Sequence, residues 1–150
     1  MISVLLNYIM AYIKVMILHT PFLYYGVHFL MRFLGKGGQY PTYRDTDLCV
    51  EAYPSSANSF LFVLLERHFK QLKIAHHTHA VASLKQAKRY GIPVIVVIRR
   101  PQDAIASRMV RFKKSLTLCL LEYIWFYRYV LNNRDNVIVL TFEDVTENPL

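Results

Sequence analysis

The stretch GIPVIVVIRRPQDA, residues 91–104, decides the fold. Its centre, Val94–Ile98, is a run of β-branched residues with no polar member. A strand buried on both faces reads this way; a half-buried strand would alternate. The residues before it, VASLKQAKRY (81–90), have apolar positions at helical spacing, and Gly91 and Pro93 stop the helix. After it, Gln102–Lys113 and Leu116–Leu131 read as helices. Further out, VIVLT (137–141) is another fully apolar strand, and DLCVEAY (47–53) is a strand bounded by Pro54. SFLFVLLERHFK (59–70) is helical, and Leu72–Ala75 is a candidate short strand. Strands separated by helices of this length predict an α/β domain: three layers, with a parallel sheet and helices on both faces. No internal repeat is present.

The chain has 150 residues, one domain's worth. It is 54% apolar, 14% aromatic and 19% charged, which excludes disorder, collagen and a coiled coil. Eighteen Lys and Arg against ten Asp and Glu give a net charge of +8. That balance favours an anionic partner: a nucleic acid, a phosphate-bearing cofactor or an acidic membrane. Cys49 and Cys119 are too few for a disulfide framework and read as reduced packing residues in a reducing compartment.

Charge is unevenly spread. From Met1 to Met31 the only charged residue is Lys14. The chain therefore divides into a hydrophobic helical segment (1–34), a polar glycine-bearing linker (35–46) and the α/β domain (47–150). A spanning helix needs about 20 mostly apolar residues. The uncharged run Val15–Met31 is slightly short and is broken at Pro21. No small-residue cleavage site follows it, so a cleaved signal peptide is not expected. Tyr8, Tyr12, Tyr24 and Tyr25 suit a membrane interface. Two readings stand: membrane association, spanning or interfacial, or a pair of core helices packing on the domain or a partner subunit. The expected location is cytoplasmic or membrane-associated.

In a sheet of this kind ligands bind at the carboxyl ends of the strands. After the first strand comes Pro54-Ser55-Ser56-Ala57-Asn58-Ser59-Phe60, small, polar and leading into a helix. Backbone N–H groups and hydroxyls there suit a phosphate, although Ser and Asn also serve simply as helix caps. There is no Gly-Lys-Ser/Thr, so an ordinary ATPase or GTPase is disfavoured. After the central strand comes Arg99-Arg100-Pro101-Gln102-Asp103, with Ser107 about two helical turns further on. A guanidinium leaving a buried strand can grip phosphate through two parallel hydrogen bonds. Otherwise Pro101 and Asp103 start a helix and the arginines are solvated.

Together these segments resemble the sulfotransferases that use 3′-phosphoadenosine 5′-phosphosulfate (PAPS). In that family a loop of the form Pro-Lys/Arg-Ser-Gly-Thr/Asn-Thr-Trp/Phe grips the 5′-phosphosulfate. Residues 54–60 stand in its place, with Ser55, Ser56, Ala57, Asn58 and Ser59 at the loop and Phe60 as the aromatic near the adenine. A strand ending in Arg-Asn-Pro-Arg/Lys-Asp, with a Ser eight residues after the Arg, binds the 3′-phosphate. Arg99 and Ser107 keep that spacing. A Lys-Thr-His precedes a helix in the family; here it is His77-Thr78-His79. Thr141 to Pro149 (TFEDVTENP) is similar to the family's Tyr-Glu-Asp-Leu…Glu-Asn-Pro. The resemblance covers residues 47–150. It implies a P-loop NTPase-like sulfotransferase fold, PAPS as donor, no metal, and a domain that stops short of the family's C-terminal helices and Arg-Lys-Gly stretch. Three departures accompany it: Ser55 replaces the loop cation, Ala57 the loop glycine and His77 the lysine.

The implied reaction is in-line sulfonyl transfer to a hydroxyl or amine acceptor, a glycan or a small molecule, with a base taking the acceptor's proton. Imidazole suits that role, and His79 is the candidate; otherwise it caps the following helix, and Glu51 or Glu66 takes the base role. The cluster His76, His77 and His79 lacks a fourth ligand at a useful spacing for zinc. The loss of the cation at Ser55 motivates a second reading, a non-catalytic membrane-associated relative without turnover. The net charge motivates a third, a basic nucleic-acid-binding protein, although no nucleic-acid motif is present.

Overall fold

The computed structural model describes residues 2–36 and 38–147, with side chains from Leu5 onward. Two helices open the chain: α1 (Ile2–His19) and α2 (Pro21–Phe33). Then β1 (Leu48–Ala52), α3 (Asn58–His68), β2 (Ile74–His76), α4 (Val81–Tyr90) and β3 (Val94–Ile98) alternate. The helices α5 (Pro101–Phe112) and α6 (Leu116–Leu131) follow, then a 3-10 turn, β4 (Ile138–Thr141) and α7 (Phe142–Glu147).

The four strands form one parallel sheet in the order β2-β1-β3-β4. Strand side chains alternate between two cores. Val50, Ala52 and Val97 pack with Leu61 and Leu65 of α3 and Val145 of α7 on one face. Cys49, Tyr53, Val94 and Val96 pack with Leu84 and Ala87 of α4, Ala104 and Ile105 of α5, and Phe126 and Tyr127 of α6 on the other. The expected three-layer α/β architecture is what forms. Both cysteines are free thiols, fully buried in the second core.

Local chemistry sets the helix ends. Pro101 opens α5, where its missing N–H is no loss. Ser115 caps α6 by accepting from the Leu118 amide. Gly91 closes α4 at φ +68°, a conformation other residues adopt only with strain. At α3, by contrast, neither Ser nor Asn caps: Ala57 holds the cap position in a left-handed conformation, and Asn58 is the first helical residue. β4, apolar except for Thr141, lies at the sheet edge, with Ile138 58% exposed.

The N-terminal pair sits on this body. Val15 of α1 is buried, and Tyr12 and His19 meet Trp125 of α6 edge-on at 6.0 and 5.2 Å. Lys14 lies 2.7 Å from Glu122, and Lys85 of α4 donates to the His19 carbonyl. Tyr24 of α2 packs on Ala80 and Ala82. The segment 38–46 is tied as well: Tyr40 pairs with His76, and the Thr42 amide and hydroxyl hydrogen-bond to Ser83. No single helix among the described residues is long and apolar enough to cross a membrane; α1 and α2 pass together but are bent by 96°.

Candidate functional site

The sheet order creates a switch point. From β1 the chain goes to β2 on one side, then returns through α4 to β3 on the other. The crevice at the carboxyl ends of β1 and β3 is where doubly wound sheets bind ligands. Ala52 pairs with Val97 and Ile98 with Thr141, so the segments leaving β1, β3 and β4 emerge side by side.

The segment after β1 is a tight loop. Ser55 and Ala57 both have left-handed backbones, at φ 69° and 63°. This turns the chain sharply into α3 and draws side chains inward. Ser55 Oγ, Ser56 Oγ and both amide atoms of Asn58 are buried without a hydrogen-bond partner. Each such group costs about 1–3 kcal/mol. Their gathering within four residues, at a helix start whose first N–H groups are free, matches what a phosphate requires. Ser59 points elsewhere: its Oγ is 2.6 Å from Nε2 of His77. Phe60 is exposed on the first turn of α3.

Arg99 leaves β3 toward this loop. Its Nη1 donates to the Ser55 carbonyl at 2.8 Å, and its guanidinium lies 4.3 Å over the Phe142 ring. The Tyr123 hydroxyl donates to the Arg99 carbonyl. Phe142 is placed by a reciprocal cap at the start of α7: the Thr141 amide donates to Asp144, and the Asp144 amide to Thr141 Oγ1. This explains the Thr-Phe-Glu-Asp part of the fourth motif; Asn148 and Pro149 lie outside the described residues. Arg100 is exposed at the cap of α5, and Ser107 is half-buried on its second turn.

The third group follows β2. Fully buried Glu51 accepts from the Thr78 amide, the Thr78 hydroxyl and the His79 amide, using both carboxylate oxygens. These bonds hold His77 and His79 in left-handed conformations. Glu51 is therefore an anchor for the turn and is not open to a substrate as a base. Burial nevertheless raises its pKa to about 7, against the pull of those donors. Glu66 is exposed on α3. His79 Nδ1 lies 2.7 Å from the Ala52 carbonyl, which can only accept, so Nδ1 carries the hydrogen and Nε2 keeps its lone pair. Burial, assisted by the nearby positive Arg108, lowers the His79 pKa to about 4. The ring is neutral at pH 7.

His79 lines a small pocket with Tyr53, Arg108 and Glu122, closed by Val15 and Leu18 of α1. Arg108 is not on a solvated face: it is 9% exposed and bridges Glu122 at 2.6 and 2.8 Å. His76 stacks between Tyr40 and Phe62, and its Nδ1 meets Nδ1 of His77. No group of three or more His, Cys, Asp or Glu suited to a metal ion occurs among the described residues.

Thus the structure brings Ser55, Ser56, Asn58 and Arg99 together, and sets Ser59 against His77 instead. Sequence reasoning did not find Phe142, Tyr123 or the anchoring role of Glu51. The nearest signal to Tyr123 is the aromatic richness of residues 119–129 (CLLEYIWFYRY), which reads as core packing rather than as a site.

No protein-family model matches the sequence, and no curated protein is significantly similar to it. Among solved structures, the crystal structure of mouse sulfotransferase SULT7A1 complexed with PAP is similar over 73% of this chain, with 12% identity and a TM-score of 0.47. The chain spans 56% of that protein's chain. At this identity and score the likeness adds nothing to the geometry above.

Proposed function

We propose that the crevice above β1 and β3 binds PAPS and that the chain is a sulfotransferase acting on a hydroxyl or amine acceptor. The observation that carries this reading is the set of buried, unpartnered polar atoms of Ser55, Ser56 and Asn58 beside the Arg99 guanidinium. The motif resemblance supports it independently. The loop 55–59 is assigned to the 5′ end of the donor, Phe60 to its adenine, and Arg99 with Ser107 to the 3′-phosphate. When bound, the donor supplies an activated sulfonate, and adenosine 3′,5′-bisphosphate remains once the acceptor has taken it.

The chain's own residues do the rest. His79 Nε2 offers its lone pair to the acceptor's O–H or N–H proton, and the Ala52 carbonyl holds the opposite nitrogen as donor. Glu51 fixes the turn that aims the ring. α1 closes the pocket over His79 and excludes water. Ser55 carries no charge where the family places a cation, and Arg99, whose guanidinium contacts the Ser55 carbonyl, is assigned to the 3′-phosphate and does not replace that cation. Positive charge at a leaving phosphate is worth a few kcal/mol of barrier.

The test is calorimetric titration of the chain with adenosine 3′,5′-bisphosphate. Saturable binding is expected, weakened about tenfold or more in Arg99→Ala, since a charge-assisted contact is worth about 1.5–3 kcal/mol. Arg111→Ala, an exposed change near the end of the following helix α5, leaves affinity nearly unchanged. Equal losses in both would identify a diffuse basic patch. A folded chain that binds no bisphosphate would favour the non-catalytic relative, to which Ser55 already points.

A further inference from the structure

The outer faces of α1 and α2 are apolar and uncovered. On α2 the stripe Pro21, Tyr24, Tyr25 and His28 faces the body, while Phe22, Phe29 and Phe33 are 86%, 74% and 81% exposed. On α1 Leu5, Leu6 and Met10 are each about 60% exposed. Monomeric soluble proteins rarely leave a contiguous patch of this kind uncovered.

The charges around it choose the occupant. Residues 1–44 contain Lys14, Arg32, Lys36 and Arg44 and no acidic residue; the first is Asp45. Lys113 and Lys114 rim the groove beside α1, and Arg89 rims the groove beside α2. Neither groove has an acidic residue in its lining. An apolar face edged by cations complements an anionic lipid surface. A second copy of the chain fits less well, because a two-fold pairing of this face brings like charges together.

We propose that α1 and α2 lie flat in the interface of an anionic membrane, without spanning it. At 1.5 Å per residue, α1 and α2 measure about 27 and 20 Å, each short of the roughly 30 Å hydrocarbon core. Their 96° bend prevents them from adding into one span. The inner faces are already committed, with Val15 against the core and Tyr24 against α4. Only the outer faces are free to insert, as in an interfacial helix pair. The site above β1 and β3 plays no part in this attachment, so it stands whatever that site binds.

The test is flotation of the full chain with vesicles of phosphatidylcholine alone and of phosphatidylcholine with phosphatidylserine. Binding is expected to the anionic vesicles, to weaken with added salt, and to be released by an alkaline wash that leaves spanning proteins in place. A Phe22→Ser/Phe29→Ser/Phe33→Ser variant loses affinity, about tenfold or more, since burying one such ring is worth about 1.5–3 kcal/mol. These rings make no core contact, so circular dichroism of the variant stays native; Lys113→Gln/Lys114→Gln, a second variant that removes only charge, also weakens flotation with the anionic vesicles. Equal flotation of native-like variants and parent, retention through the alkaline wash, or a parent that ignores vesicles and elutes as a dimer would each overturn the proposal.

Discussion

Three histidines sit where burial disfavours their charge. His19 under Trp125, His76 between Tyr40 and Phe62, and His79 against Ala52 are all lowered to about 4 from an ordinary 6.5. The unfolded chain therefore binds protons that the folded chain refuses between about pH 6.5 and 4. Stability is full above that window and falls as pH drops through it. Glu51 acts oppositely: raised to about 7 from 4.5, it keeps a proton that the unfolded chain releases, so its contribution declines as pH rises from about 4.5 to 7. Three rings outnumber one carboxyl, and the net expectation is a urea midpoint that falls from pH 7 to pH 5. His76→Phe keeps an aromatic ring in the Tyr40–Phe62 stack and removes one titrating group, so its midpoint falls less steeply. Parallel slopes for variant and parent would show that His76 titrates normally. His79 was legible as a candidate base from its motif. Its neutral, Nδ1-protonated state was not, because that depends on a carbonyl 27 residues earlier in the chain.

The start of α3 shows what a resemblance conceals about an element. Ala57 replaces a glycine of the family's loop yet keeps the conformation that glycine would adopt, at φ 63°. A left-handed alanine costs about 1–2 kcal/mol, while glycine gives back roughly half of that gain through its looser unfolded chain. Ala57→Gly should therefore stabilise the protein by about 0.5–1 kcal/mol, raising Tm by about 1–4 °C for a chain of this size. A lower Tm would mean that the methyl group packs against the core beside Val50 and Leu61 strongly enough to outweigh the strain. The strands and most helix bounds were readable from periodicity, because Val94–Ile98 and the Gly91 stop are local signals. The edge position of β4 was not: VIVLT carries the same apolar run whether one or both of its sides are paired. Nor was the cap of α3, where Asn58 enters the helix with its amide buried rather than folding back over the first turn.

At the scale of the whole molecule, composition separates a hydrophobic first fifth from a soluble remainder, but the packing joins them. Val15 and Leu18 of α1 roof the pocket over His79, and the half-exposed Lys14 reaches the buried Glu122–Arg108 pair. Removing either buried member of that pair leaves an uncompensated charge and costs several kcal/mol. The roof and the α/β body should therefore unfold as one cooperative unit. Trp125, the only tryptophan in the chain, reports on this directly, because it lies between Tyr12 and His19 of α1 on the surface of α6. In urea, its emission shift should coincide with the loss of helical circular dichroism, since a two-state domain gives one transition by every probe. A Trp125 transition at lower urea than the dichroism would show that α1 lifts away first. In that case the pocket over His79 opens without global unfolding, and α1 acts as its lid.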